Sequence, residues 1–291
     1  MSSPQPVNAG YVDSTWGKLH YRASGTNGPW VALFHESPLS STAFDRVLPL
    51  LGSSFRAVAF DTPGYGASDP PPSDGFEIPA YAEVLGEAMV ALGVTRPVLG
   101  GVHTGASIAV EAAAHSPGGA AGLVLSGVPL FSPDERADFL SNWTPQVPVD
   151  ATGSQFAWAV ERYRRIYGDD VPAWMLHRAV IDLLSVSDRY DWAYRAAFRH
   201  DPAASLAAFE GPVLLLDAEF DMLIAKDRIA LCCARDARLV AVAGLAGQPH
   251  LRAPDRYAAE FGAFVLDRCQ APPLPDPVRR RPHPSEGGQT P

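Results

Sequence analysis

The histidine at position 103 has the surroundings in this sequence that most favour chemistry. The apolar run 98–101 predicts a buried strand and the residues from Thr104 onwards predict a helix, so His103 lies at the turn between them. Gly101 and Gly105 allow that strand and helix to approach closely. Because an imidazole accepts and donates protons near neutral pH, we expect His103 to be functional.

Other side chains that can transfer a proton or bind a substrate follow the ends of predicted strands. A histidine, a carboxylate and a serine follow the apolar run 30–34, and three carboxylates follow the run 213–216. A further histidine precedes a helical pattern near the end of the chain. These candidates are His35, Glu36, Ser37, Asp217, Glu219, Asp221 and His250.

The elements that must position these groups alternate between strands and helices. Helical spacing of apolar residues occurs at 81–92 and 104–114. This alternation predicts an α/β fold with a mostly parallel central sheet flanked by helices. The predicted strands are 11–14, 18–22, 30–34, 55–60, 98–101, 123–125, 213–216 and 238–242.

The alternation stops between about residues 131 and 209, where only helical patterns remain. Four of the six tryptophans lie in this stretch, which predicts a helical cap inserted late in the chain, with an aromatic-lined cavity at its boundary. The proline-rich end of the chain cannot build a core. We therefore predict a core in two parts (1–130 and 210–270), a cap (131–209) and a disordered tail (271–291).

Composition excludes several classes of function. The net charge of −9 argues against non-specific binding to nucleic acid. Three cysteines without C-x-x-C spacing indicate neither a disulfide framework nor a zinc site. The chain begins without a signal-peptide pattern and has no apolar run long enough for a membrane span, so we expect a cytoplasmic protein. The oligomeric state stays open.

Four motifs in this order resemble the α/β-hydrolase superfamily over roughly residues 11–270, especially its cap-bearing epoxide hydrolases, haloalkane dehalogenases and C–C-bond hydrolases. The motifs are His35-Glu36-Ser37-Pro38, similar to H-G-x-P; the turn-rich segment 61–69; Gly101-Val102-His103-Thr104-Gly105, similar to G-x-S-x-G; and an acid followed by a histidine. Two residues depart from the family pattern, since His103 replaces the nucleophile and Glu36 replaces a glycine.

The resemblance implies roles for several residues. The backbone N–H groups of Ser37 and Thr104 would form an oxyanion hole, and family spacing selects Asp221 over Asp217 and Glu219 as the acid that orients His250. The segment 61–69 would be mainly structural. Glu36 would either reach the cavity as a second acid or base, or face solvent or an arginine; His35 is a further acid–base or pocket candidate.

We call the turn at His103, between the predicted strand and helix, the elbow. A histidine at the elbow favours acid–base chemistry over formation of an acyl-enzyme. Our leading hypothesis is a cofactor-independent enzyme in which His250 is the base and His103 binds substrate or shuttles a proton. Its reaction would be C–C bond formation or cleavage, cyclisation or elimination, and its substrate a bulky aromatic or polyketide-like molecule. Such a reaction would suit natural-product biosynthesis.

Two alternatives stay open. One is a hydrolase of an ester, lactone or epoxide that uses His103 or a histidine-activated water. The other is a non-catalytic protein that binds a ligand in the cap cavity. Neither a metal nor a cofactor is expected, and without an aspartate at the elbow the covalent route of epoxide hydrolases and dehalogenases is closed.

Overall fold

One twisted sheet organises the computed structural model, which describes residues 5–116 and 118–269. The strands described there are β1 (Asn8–Ser14), β2 (Gly17–Ser24), β3 (Trp30–Phe34), β4 (Arg56–Phe60), β5 (Val98–Val102), β6 (Gly122–Ser126), β7 (Val213–Ala218) and β8 (Ala237–Val242). They join in the order β1-β2-β4-β3-β5-β6-β7-β8. Only the β1–β2 and β2–β4 pairs are antiparallel, which confirms the predicted mostly parallel sheet.

Helices cover the sheet and extend beyond it. Within the described ranges they are α1 (Leu48–Leu51), α2 (Ile78–Ala91), α3 (Thr104–His115), α4 (Pro133–Asn142), α5 (Ser154–Tyr167), α6 (Ala173–Ser185), α7 (Trp192–Arg199), α8 (Ala203–Ala208), α9 (Ile224–Cys233), α10 (Pro249–Arg252) and α11 (Pro254–Arg268). A 3₁₀ turn covers Ser41–Phe44. None of these described helices has the length and apolar character needed to cross a membrane.

The two faces of the sheet are buried in separate apolar layers because side chains alternate along each strand. Phe34 packs in the layer that includes Leu85 of α2 and Ile108 of α3. Its neighbour Leu33 packs in the other layer, which includes Phe261 of α11. Burial on both faces explains why β3 to β7 are continuous apolar runs.

The turn between β5 and α3 places His103 in a strained conformation. Its φ of 48° and ψ of −112° belong to a region that non-glycine residues rarely adopt, at a cost of about 1–3 kcal/mol. Close packing holds the turn in place: a Cβ on Gly101 would lie 2.1 Å from the Gly105 carbonyl oxygen, and one on Gly105 would lie 2.1 Å from the Phe34 carbonyl oxygen. The elbow is therefore built for close strand–helix contact.

Five helices, α4 to α8, lie between β6 and β7, and we call them the cap helices. They contact the rest of the chain through polar groups as well as apolar ones. Ser40 donates to the buried carboxylate of Asp182 at 3.1 Å, and the Tyr65 hydroxyl donates to the Tyr190 carbonyl at 3.1 Å. The division into core and cap domains stays a prediction, and the predicted disordered tail lies outside the described residues.

The segment 61–69 shapes the loops next to the candidate residues. The Asp61 carboxylate accepts hydrogen bonds from the backbone N–H groups of Ser41 and Ala67, at 2.6 and 2.8 Å, and contacts His20 Nδ1 at 2.9 Å. The Ser68 hydroxyl donates to the Asp61 carbonyl at 2.8 Å. These bonds tie the loop after β4 to the loop that follows Pro38.

We predict that Gly105→Ala destabilises the fold by about 3 kcal/mol or more, because its Cβ meets backbone that cannot move aside. The matched control is Gly262→Ala in α11, where the nearest atom is a Phe55 ring carbon at 3.3 Å. That control should be close to neutral because alanine favours the helix. Urea denaturation measures both, and equal effects would contradict the packing argument.

Candidate active site

A cavity of about 50 Å³ lies between the cap helices and the loops that follow the parallel strands. Such loops, at the carboxyl ends of strands, are where open α/β sheets bind ligands. The polar part of its wall consists of Glu36, Ser37, His103, Thr104 and Gln248. The aromatic part includes Phe131, Phe139, Trp143, Tyr163, Tyr167 and Tyr194. The cavity thus combines groups that transfer protons with an apolar enclosure.

His103 is paired with Asp221 at this cavity. Its Nε2 lies 3.2 Å from Asp221 Oδ1, and its side chain is 16% exposed whereas that of Asp221 is 1% exposed. The same carboxylate oxygen accepts the backbone N–H of Leu223 at 2.8 Å, which fixes its position. With Nε2 bound to Asp221, Nδ1 is the imidazole nitrogen left to act on a substrate.

The Asp221 contact determines the charge of His103. Burial lowers the pKa of His103, but the charge of Asp221 and its hydrogen bond, with help from the charge of Glu36, raise that pKa to about 9. Burial likewise opposes ionisation of Asp221, yet the His103 imidazolium holds the pKa of Asp221 below its usual value. At neutral pH the pair is therefore an imidazolium and a carboxylate, and the imidazolium has no lone pair for nucleophilic attack.

The structure corrects the expected pairing of Asp221 with His250. His250 is completely buried in α10, packed against the rings of Phe44 and Tyr257 at 5.2 and 6.0 Å between centroids. Its Nε2 lies 3.3 Å from Glu36 Oε2, and neither ring nitrogen makes an aligned hydrogen bond to another described residue. It is also not among the residues that line the cavity. Two separate histidine–carboxylate pairs replace the expected single one.

Glu36 forms part of the cavity wall, which is one of the two placements that the sequence allowed. Burial raises the pKa of Glu36, but the positive fields of His250 and His103 outweigh burial and lower it overall. Its carboxylate is therefore ionised at neutral pH. Both oxygens lack an aligned partner among the described residues, so the carboxylate is free to accept a proton or a hydrogen bond from a ligand.

Ser37 and Thr104, the expected oxyanion donors, lie in the wall of the same cavity. Thr104 is the first residue of α3, so its backbone N–H has no carbonyl partner one turn earlier in the helix. Ser37 precedes Pro38 in the loop after β3, across a cis peptide bond. The structure brings the two residues to one site, and their role as donors stays a prediction.

His35 does not belong to this site. Its Nε2 accepts the backbone N–H of Thr62 at 2.9 Å, and its Nδ1 lies 2.9 Å from the Glu36 carbonyl oxygen. Because Nε2 accepts, Nδ1 must carry the proton, and burial lowers the pKa of His35 so that the ring stays neutral. His35 is thus a structural link between two loops, which corrects the proposal of a pocket or acid–base role.

Gln248 is a cavity residue that the sequence analysis missed. It has a left-handed backbone (φ 45°, ψ 63°), is buried, and its Oε1 has no partner among the described residues. Gly247 brings this turn close to Asp221, since a Cβ on Gly247 would lie 3.1 Å from Asp221 Oδ2. Its place in the Gly247–His250 segment, two residues before a candidate histidine, is the sequence signal that could have indicated it.

The rival acids have other roles. Glu219 accepts the backbone N–H of Gly244 at 2.9 Å, away from His103. Asp217 is completely buried at the end of β7 and accepts the backbone N–H of Ala218 at 2.8 Å. Within the described part of the chain, no group of three histidine, cysteine or acidic residues has a metal-binding arrangement.

Comparison with known proteins agrees with this geometry. The sequence profile of the family described as alpha/beta hydrolase fold matches residues 29–244. The chain belongs to this family. Its mostly parallel eight-stranded sheet with flanking helices is that of the α/β-hydrolase fold, which confirms the resemblance inferred from the motifs.

Curated relatives of this α/β hydrolase include Haloalkane dehalogenase 2 of Mycobacterium tuberculosis, 32% identical over 132 residues, which are 45% of this chain and 46% of that protein. A putative epoxide hydrolase of Stigmatella aurantiaca is 31% identical over 127 residues, covering 40% of this chain and 29% of that protein. The matched stretches thus span less than half the length of these relatives.

Solved structures extend the likeness of fold over most of the chain. A bromoperoxidase from Bacillus anthracis superposes with a TM-score of 0.74 at 18% identity, covering 89% of this chain and 100% of that one. The enol-lactonase from Burkholderia xenovorans LB400 superposes with a TM-score of 0.72, also at 18% identity and with the same coverage. At this identity the likeness shows the fold alone.

We predict that the His103–Asp221 pair stabilises the fold at neutral pH and loses this effect in alkali. The pKa of His103 rises from about 6.5 in the unfolded chain to about 9 in the folded one, so its contribution is complete below pH 6.5 and disappears as the pH rises through 9. Between about pH 6 and pH 10 the free energy of unfolding should fall by on the order of 3 kcal/mol more in the wild type than in His103→Asn. Urea titrations at several pH values measure this difference, and parallel curves for the two proteins would contradict it.

Proposed function

We propose that this α/β hydrolase is an enzyme that catalyses proton transfer on a carbonyl compound without a cofactor and without a covalent intermediate. The observation that supports this most directly is the His103–Asp221 contact, which makes the elbow side chain a charged proton donor. A serine hydroxyl or an elbow carboxylate would attack the substrate, whereas an imidazolium cannot.

His103 is the proton donor in this proposal. Asp221 holds Nε2, so the proton on Nδ1 is available to the carbonyl oxygen of a substrate in the cavity. As negative charge develops on that oxygen, the backbone N–H groups of Ser37 and Thr104 stabilise it. The product of this step is an enol or a stabilised enolate.

Glu36 is the proton acceptor, in place of the His250 that the sequence suggested. Its carboxylate belongs to the cavity wall, whereas His250 is enclosed behind it and contacts it at 3.3 Å. Because the pKa of Glu36 is lowered, the carboxylate alone is a weak base. Removal of a carbon-bound proton must therefore accompany proton donation from His103, which lowers the energy of the enolate as it forms.

An enol or enolate at this site leads to the reactions that we infer for this enzyme, namely C–C bond formation or cleavage, cyclisation and elimination. The aromatic wall suits an apolar or aromatic substrate. With about 50 Å³, the cavity holds only a few non-hydrogen atoms. The bulky substrate that we expected would place its reactive carbonyl here and require the cap helices to move.

A second candidate function is hydrolysis through a water molecule activated by Glu36. The named relatives favour it, because they are a dehalogenase and a putative epoxide hydrolase. In this reaction Glu36 removes a proton from water, the water attacks an ester or lactone carbonyl, and His103 protonates the leaving oxygen. The two candidates share their residues and differ in whether carbon or water loses the proton.

We predict that the enzyme exchanges the α-protons of small ketones with solvent, beginning with acetone in D₂O followed by NMR. Glu36→Gln and His103→Asn should each slow the exchange by about 10²-fold or more, since each removes one partner of the proton transfer. The matched controls are Glu83→Gln and His177→Asn, at exposed positions on α2 and α6. Both variants should catalyse exchange of the ketone protons at the wild-type rate. Exchange that survives both cavity substitutions would refute the proposal, and hydrolysis of 4-nitrophenyl acetate that depends on Glu36 would favour the second candidate.

We further predict that His103→Ser alone does not create an esterase. The new hydroxyl would have no base, since His250 is enclosed beside Glu36 and Asp221 would lose its imidazole. The double variant His103→Ser/Gln248→His places an imidazole in the cavity wall, on the turn whose backbone contacts Asp221. We expect it to release 4-nitrophenol in a burst, because an acyl-enzyme forms. A burst from His103→Ser alone would show that His250 reaches the elbow after all.

A further inference from the structure

We propose that Gly127 and Asp227 are positioning residues that hold the imidazole of His103 against Asp221. The proposal depends on the role proposed above for His103 and adds the means by which the ring is oriented. Neither residue lines the cavity, and neither belongs to the four motifs described in the sequence analysis. Three contacts near the ring support this role.

The first contact is between the backbone of Gly127 and the edge of the His103 ring. A Cβ on Gly127 would lie 2.3 Å from His103 Cδ2 and 2.7 Å from His103 Nε2. These are the ring atoms next to Asp221, so any side chain at position 127 occupies the space in which the ring makes its contact. Gly127 also has a φ of 64°, which glycine adopts without strain.

The second contact fixes the backbone of Gly127. The completely buried carboxylate of Asp227, in α9, accepts the N–H of Gly127 at 3.0 Å and that of Val128 at 2.7 Å. Two hydrogen bonds to one carboxylate define the position of this short segment after β6. The elbow ring therefore rests on a surface that a second acidic residue holds in place.

The third contact, between Asp217 and Asp227, explains how Asp227 remains a hydrogen-bond acceptor although other acidic residues lie near it. Burial and the nearby charges of Asp221 and Asp227 raise the pKa of Asp217 well above its usual value, so Asp217 is a neutral carboxylic acid. As a carboxylate its Oδ2 would have no partner among the described residues, whereas as an acid it can donate to Asp227. The proton on Asp217 thus lowers the repulsion around the Asp221 carboxylate.

These contacts form one connected arrangement. Asp217 donates to Asp227, Asp227 fixes Gly127, and Gly127 supports the ring that Asp221 binds. Ring orientation decides which imidazole nitrogen faces Asp221 and which one is left for a substrate.

The decisive variant is Gly127→Ala, and its readout is the pKa of His103 measured by NMR titration of the ring protons. Displacing the ring from Asp221 should lower that pKa by at least one unit from its wild-type value near 9. The matched control is Gly93→Ala, with a φ of 69° and open space around its Cβ, which imposes similar backbone strain and should leave the pKa of His103 unchanged. An unchanged pKa in Gly127→Ala overturns the proposal.

A double-mutant cycle keeps the test decisive if Gly127→Ala folds poorly. The same substitution is introduced into His103→Ala, where the clashing ring is absent but the backbone strain is the same. We expect the loss in the equilibrium constant of folding to be at least tenfold smaller in that background. Equal losses in both backgrounds overturn the proposal.

Asp227→Asn tests the support of Gly127 separately. The two N–H groups are accepted by different oxygens of Asp227, and asparagine replaces one of those oxygens with an NH₂ group that cannot accept. The amide protons of Gly127 and Val128 and the Nε2–H of His103 should therefore exchange faster with solvent. Asp255→Asn, an exposed carboxylate in the first turn of α11, is the control and should change none of them. An unchanged Nε2–H exchange rate in Asp227→Asn removes Asp227 from the proposal.

These readouts are independent of turnover. If ketone exchange fails to depend on His103 while Gly127→Ala still lowers the pKa of His103, the proposed function is wrong and the positioning stands. If Gly127→Ala changes neither the pKa of His103 nor its energetic coupling to His103→Ala, while ketone exchange still depends on His103, the positioning role is wrong and the proposed function stands.

Discussion

The contact between His103 and Asp221 is the interaction on which the rest of this site depends. It joins residues 118 positions apart in sequence, one at a strained elbow and one after the next-to-last strand. Removing an imidazole and a carboxylate from water costs free energy, which their attraction offsets only when the geometry is good and other hydrogen bonds are made. Here the Leu223 N–H supplies one such bond to Asp221.

The pair also sets what the neighbouring groups can do. A charged His103 helps to keep Glu36 ionised, and the Asp221 carboxylate helps to keep Asp217 protonated. Because the His103 ring contacts Asp221 and the His250 ring lies beside Glu36, the two histidines do not compete for one carboxylate. The site thereby presents an acid and a base at the same wall.

The parallel sheet brings the residues of this site together. Loops after β3, β5, β6, β7 and β8 all reach the cavity because parallel strands direct their carboxyl ends to one side. The fold therefore brings together residues from distant parts of the chain whatever their chemistry is. This explains how the fold can be shared with relatives whose names describe several reactions.

The sequence alone determined the sheet, the elbow and the helices between β6 and β7, because each depends on local periodicity and on glycines at close contacts. It also located His103, Asp221 and Glu36 near strand ends. Only the tertiary structure decided which side chains meet. The left-handed turn at Gln248 directs that residue to the cavity and encloses His250, although only two positions separate them. Partner choice depends on ångström-scale distances between loops from different strands, and one-dimensional patterns carry no information about those distances.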